Sequence, residues 1–92
     1  MDRLIETPQQ LGALIRAVRK AQGIRQDDLA GLISASHVFV LEVERGKPTA
    51  QIGKVLDLLR ELGIRLKADV PDSALPPASP PATSTSRKRR NG

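Results

Sequence analysis

Cysteine, tryptophan and tyrosine are absent from this sequence of 92 residues, which holds one phenylalanine, Phe39, and one histidine, His37. Without cysteine there is no disulfide, no thiolate metal site and no cysteine nucleophile, and a reducing compartment suits the chain. A lone histidine with no cysteine beside it cannot assemble a metal site, so no metal is expected. Paired catalytic carboxylates, a phosphate-cradling glycine loop and a nucleophile elbow are also missing, so the expectation is a protein that is not an enzyme and needs no cofactor. No apolar run approaches the roughly 18 residues of a membrane span, and residues 1–6 are too short and too acidic for a secretion signal. These absences predict a soluble, cytoplasmic protein with no membrane partner.

What is present begins with charge. The formal net charge is +5, but residues 1–70 carry 11 basic and 9 acidic side chains, whereas residues 71–92 carry Arg87, Lys88, Arg89 and Arg90 against Asp72. Most of the excess therefore sits in the tail, and overall basicity says little about the rest. A chain this short buries a modest fraction of its surface, so a partner or a dimer is expected.

Thr7-Pro8-Gln9-Gln10 is a helix start: threonine caps, proline suits the first helical position, and glutamine at the third completes a capping box. Leu11, Leu14, Ile15 and Val18 follow at helical spacing, and Gly23 supplies a left-handed stop, so the first helix ends near Ala21. A second helix reads from about Gln26 to Ile33, with Leu29, Ala30, Leu32 and Ile33 as apolar contacts. Ser34-Ala35-Ser36 breaks the chain, and Ser36 caps a third helix from His37 to about Arg45, closed by Gly46. After Lys47-Pro48-Thr49, the stripe Ile52, Val55, Leu56, Leu58, Leu59 and Leu62 gives a fourth helix whose leucines suit a core face better than a zipper. Phe39 is read as a core side chain.

Residues 64–70 alternate apolar and charged side chains, which is strand periodicity. Ile64, Leu66, Ala68 and Val70 fall on one face. With no second strand in the chain, the ladder is predicted to pair with the same strand of a second subunit. From residue 71 onward, Pro71, Pro76, Pro77, Pro80 and Pro81 stand among Ser, Thr and Ala, a composition predicted to stay disordered. The domain prediction is thus a folded unit at 1–70 and a basic tail at 71–92.

Gln26-Asp27-Asp28-Leu29-Ala30, the Ser34-Ala35-Ser36 corner and Val40-Leu41-Glu42-Val43-Glu44-Arg45-Gly46 together resemble the helix-turn-helix of the lambda-repressor and Cro-like family. Leu29, Val40 and Val43 would fill the wedge between the two helices, with Ala30 small where they cross. The resemblance implies a mainly α, four-to-five-helix DNA-binding domain whose third helix enters the major groove, with a terminal strand pairing across a homodimer. It implies that His37, Val38 and Glu42 face bases, that Ser36 belongs to the same DNA-binding set, that Gln26 contacts phosphate and braces the third helix, and that Arg45, Lys47 and Thr49 contact the backbone. An ion pair between the first helix and the end of the third maps to Arg19 and Glu44. Three departures stand out. Ser34 replaces the usual corner glycine, Arg25 replaces the usual cap of the second helix, and Val38, Phe39 and Leu41 make the third helix unusually apolar.

A narrower resemblance, carried by Glu42 to Thr49, the leucine-rich fourth helix and Leu62-Gly63-Ile64-Arg65-Leu66, is to HipB-type antitoxins. It implies repression of the protein's own operon, binding to double-stranded operator DNA and neutralisation of a HipA-type kinase toxin, with a nucleoid-associated location. Two alternatives stay open: a solitary phage-type repressor without a toxin, and a protein-interaction module that has lost specific DNA recognition.

Overall fold

The computed structural model describes residues 2–72. Four helices occur in this range: α1 (Pro8–Ala21), α2 (Gln26–Leu32), α3 (His37–Glu44) and α4 (Ile52–Glu61). The basic run Arg87, Lys88, Arg89, Arg90 and the rest of the tail beyond residue 72 lie outside the described residues.

Each helix begins and ends where local chemistry dictates. Thr7 is extended, and its hydroxyl accepts from the Gln10 N–H at 3.0 Å. The Gln10 side chain reaches one residue further back than in the usual capping box, accepting from the Glu6 N–H at 2.6 Å. Arg25 precedes α2 without a side-chain cap and turns instead to Asp27 at 2.9 Å and Asp28 at 3.4 Å. α2 stops at Leu32, and Ser34 then takes a left-handed conformation with φ of 57°. Ser36 caps α3 through its hydroxyl, 3.2 Å from the Phe39 N–H. The second and third helices each end one residue earlier than the sequence predicts, with Ile33 and Arg45 as their C-caps.

The core is built from all four helices. Ile15 of α1, Leu29 and Ala30 of α2, Val40 and Val43 of α3, and Val55, Leu58 and Leu59 of α4 are buried together with Ile33 and Leu62. Burying a leucine such as Leu29 or Leu58 contributes about 1.5–3 kcal/mol. α2 and α3 pack against each other, α1 lies across α3, and α4 supports α2. The wedge expected from Leu29, Ala30, Val40 and Val43 is therefore present. Phe39 is half-buried at the rim of the core.

Some apolar side chains fall elsewhere than the sequence predicts. Leu32, expected as a core contact, is exposed, and Ile52 and Leu56 on α4 also face out. The buried face of α4 is narrower than its apolar stripe. In the single chain, among the described residues, no strand forms at 64–70. Ile64 packs on the core, and its N–H donates to the Leu59 carbonyl at 2.9 Å, but Leu66, Ala68 and Val70 are exposed. The physical reason is that a ladder needs a second backbone, which one copy of this chain does not supply.

One determinant is hidden in the sequence. Gly12 sits in the interior of α1, where its missing side chain lets that helix approach the end of α3. A β-carbon there would lie 2.3 Å from the Val43 carbonyl oxygen and 2.6 Å from that of Glu44. These are backbone atoms, so relief requires the helices to separate. Gly12→Ala is expected to cost about 1–3 kcal/mol, as overpacked sites do, measured as a lowered midpoint of thermal unfolding. Ser34→Gly is expected to do the opposite, because it removes a left-handed strain of roughly 1 kcal/mol.

Candidate nucleic-acid interface

α3 has two unlike faces: its inner face is buried and ion-paired, and its outer face is open to solvent. Val40, Val43 and Glu44 are buried, whereas Ser36, His37, Val38 and Arg45 are exposed. The corner that sets this orientation is short. Ser34 turns the chain, and the Ala35 N–H donates to the Ala30 carbonyl at 2.9 Å, so α3 starts four residues after Ile33 with little freedom.

A buried polar network fixes α3 from behind. The Arg19 guanidinium meets the Glu44 carboxylate through two hydrogen bonds, Nε to Oε2 at 2.5 Å and Nη2 to Oε1 at 3.0 Å. Its remaining nitrogen, Nη1, donates to the Ile24 carbonyl at 2.9 Å. Gln26 adds a further donor, Nε2 to Glu44 Oε1 at 3.0 Å. The two charged side chains are 9% and 2% exposed, so water contributes little to their solvation. The hydrogen bond to Glu44 holds the arginine above its ordinary pKa against the opposing effect of burial. α1, the loop after it, α2 and α3 are thereby joined at one carboxylate. The Arg19–Glu44 pair expected from the sequence is present, and so is the bracing part of the role expected for Gln26.

The remaining residues singled out in the sequence lie along the outer edge. Glu42 is half-exposed and bonded to Lys47, with Oε1 3.0 Å from Nζ, while the Lys47 N–H also donates to the Glu42 carbonyl at 3.0 Å. Arg45, Lys47 and Thr49 are exposed and follow the end of α3 toward α4. Gly46 makes that path possible: its φ is 87°, and a β-carbon would lie 2.8 Å from the Gln9 backbone. The sequence reading missed the Glu42–Lys47 pair, although a five-residue separation across a glycine turn is the signal that could have shown it. Arg16 and Lys20 of α1, which the sequence analysis assigned no role, are exposed near the end of α3. Among the described residues, no group of three or more His, Cys, Asp or Glu side chains is placed to hold a metal, and no helix is long and apolar enough to cross a membrane.

Two short helices joined by a tight left-handed corner, the second locked on its inner face and open on its outer face, define a helix-turn-helix unit. Residues 10–69 match the helix-turn-helix domain family, and the chain belongs to it. It is 54% identical over 63 residues to the uncharacterized HTH-type transcriptional regulator y4mF of Sinorhizobium fredii, covering 68% of this chain and 83% of that protein. Among solved structures, the fold matches HipB in a HipB–O4 20mer complex with a TM-score of 0.69 at 20% identity, over 75% of this chain and 97% of that one. A HipA–HipB–O2–O3 complex gives a match with a TM-score of 0.70 at 20% identity, again over 75% and 97% of the two chains. The architecture is thus the mainly helical fold of HipB, and the protein is a helix-turn-helix transcriptional regulator.

Removing Glu44 leaves a buried guanidinium without its anion. Glu44→Ala is expected to cost about 3–5 kcal/mol, and Arg19→Met with Glu44→Leu considerably less, because the double change removes both desolvated charges. A double-mutant cycle on thermal stability measures the coupling, and a coupling near zero would mean that the pair does not hold α3 in place.

Proposed function

We propose that this protein is a sequence-specific DNA-binding repressor, acting as a homodimer, and the antitoxin of a HipA-type kinase toxin. The observation that carries the DNA-binding part is the contrast between the two faces of α3. Its inner face is committed to the core and to Arg19, while the outer face leaves Ser36, His37, Val38 and Glu42 open to a partner. A B-DNA major groove about 12 Å wide admits one such helix. On this reading, His37, Val38 and Glu42 meet base edges, and Ser36, the cap of α3, joins them in contacting the DNA. Val38 offers an apolar surface to thymine methyls, and Glu42 accepts from an exocyclic amine. Gln26, Arg45, Lys47 and Thr49 meet the sugar-phosphate backbone, with Lys47 exchanging Glu42 for a phosphate.

Repression is the regulatory mode that suits a unit with no catalytic or effector domain among its described residues: it competes for a promoter by occupying it. The toxin part is supported by the HipB fold and by the presence of HipA beside HipB in one of the matched structures. The homodimer is supported by the exposed apolar side chains of Leu66, Ala68 and Val70. Ile64, Leu66, Ala68 and Val70 would pair antiparallel about a two-fold axis, hiding an edge that one chain leaves open. That axis would set two copies of α3 about one DNA turn, roughly 34 Å, apart on a palindromic operator in the cytoplasmic nucleoid.

A gel shift of the purified protein on the DNA upstream of its own gene, with and without the product of the neighbouring gene, tests both roles. A supershift supports the antitoxin reading; a shift unaffected by that product leaves a solitary repressor. His37→Ala or Glu42→Ala should change preference among operator variants by about 1–3 kcal/mol, whereas Arg45→Ala should weaken all sequences alike. Binding of both kinds of variant indistinguishable from the parent would remove α3 from the groove. Leu66→Pro, which deletes a ladder donor and fixes φ, should yield monomers by light scattering with much weaker operator binding. A dimeric Leu66→Pro protein would move the interface elsewhere.

A further inference from the structure

We propose that a basic hollow between α1 and the end of α3 holds DNA phosphates outside the segment that α3 reads, so that α1 is a second backbone-binding element. The inference rests on the DNA-binding reading above and adds Arg16 and Lys20 to its contacts. The hollow has a volume of about 800 Å³ and is open to solvent; its charged lining is Arg16, Arg19 and Lys20 from α1, Arg25 from the loop, and Glu44 and Arg45 at the end of α3. Glu44 is buried and spent on Arg19, so these two cancel. Arg25 shares its charge with Asp27 and Asp28. Arg16, Lys20 and Arg45 are different. All three are exposed, and among the described residues none has a carboxylate within 4.0 Å.

Several uncompensated cations gathered round one hollow repel one another, and the field they create is strongest where low-dielectric walls focus it. Such a site attracts a polyanion. Arg16 and Lys20 are one helical turn apart and share a face of α1, so they present two adjacent donors rather than a single point charge. The choice of DNA phosphates over an acidic protein follows from continuity. Arg45 borders the hollow and also begins the exposed edge Arg45, Lys47, Thr49 that leaves α3, and Gln26 lines the hollow while bracing α3 from behind. A duplex seated on α3 would therefore run its backbone past the mouth of the hollow.

The test uses the full chain with R16A/K20A, and with R16Q/K20Q so that a folding defect of one variant cannot mask the result. Thermal unfolding should match the parent, since both side chains are exposed and make no bond to the core. Binding to the upstream duplex and to a scrambled duplex of equal length is then followed by anisotropy between 50 and 200 mM salt. Two lost phosphate contacts should lower the slope of log affinity against log salt by about 1.8, so that the parent loses about 12-fold more affinity than the variant over that range. The change should be the same for both duplexes, and neutral methylphosphonates at the flanking positions should weaken the parent but not the variant. A parental slope in both folded variants overturns the proposal, as does a loss confined to one sequence. Unchanged DNA binding with loss of an acidic protein partner would assign the hollow to that protein and overturn it as well. Failure of the parent to bind either duplex would instead remove the DNA reading on which the proposal stands.

Discussion

The presentation of α3 depends on one carboxylate, that of Glu44. It stands at the last position of the helix, pointing inward, and receives two bonds from Arg19 and one from Gln26. Such a pair is a poor source of net stability, since the desolvation of two ions offsets much of their attraction. What it supplies is geometry. A planar guanidinium accepts only a narrow range of carboxylate orientations, and its third donor is tied to the Ile24 carbonyl, so the position of α3 along and around α1 is set by bond angles rather than by packing alone. An apolar replacement would keep the helices together while letting them slide.

The packing around that network is consistent with this division of labour. Gly12, two turns before Arg19 on α1, brings the α1 backbone against the carbonyls of Val43 and Glu44, so the close approach and the ion pair both engage the end of α3. On the far side, α4 closes the core with Val55, Leu58 and Leu59, and its end is tied back to α1 by Gln22, whose side-chain nitrogen donates to the Leu62 carbonyl at 2.9 Å. The frame is rigid on the inside, and the side chains with chemistry to offer lie outside it.

Much of this was legible in the sequence because it is local. The caps at Thr7 and Ser36 and the left-handed positions at Ser34, Gly23 and Gly46 are dictated by residues a few places apart, and they fixed five of the helix boundaries to within one residue. The wedge of Leu29, Ala30, Val40 and Val43 and the Arg19–Glu44 pair followed from resemblance, since no periodicity connects residues 25 places apart. What escaped is tertiary. Gly12 reads as a poor helix residue until the opposing carbonyls are known. Leu32, Ile52 and Leu56 belong to apolar stripes wider than the faces they serve. The alternation at 64–70 is a strand pattern whose partner the single chain does not contain, and the cations of α1 look like ordinary solvated charge until the wall opposite them is in view.

The bridge between Glu42 and Lys47 bears on how fast, rather than how tightly, a polyanion would be met. Past a screening length of roughly 8 Å at physiological salt, a carboxylate bound to an ammonium is felt as a small dipole, not as a negative charge. The acidic side chain on the exposed face of α3 is therefore muted during approach, and the long-range field is left to the unpaired arginines and lysines around it. Once the surfaces touch, the bridge must open, and only a sequence that gives the freed carboxylate a donor repays the exchange. In such an arrangement all sequences are reached at similar rates, and discrimination lies in how long each one is held.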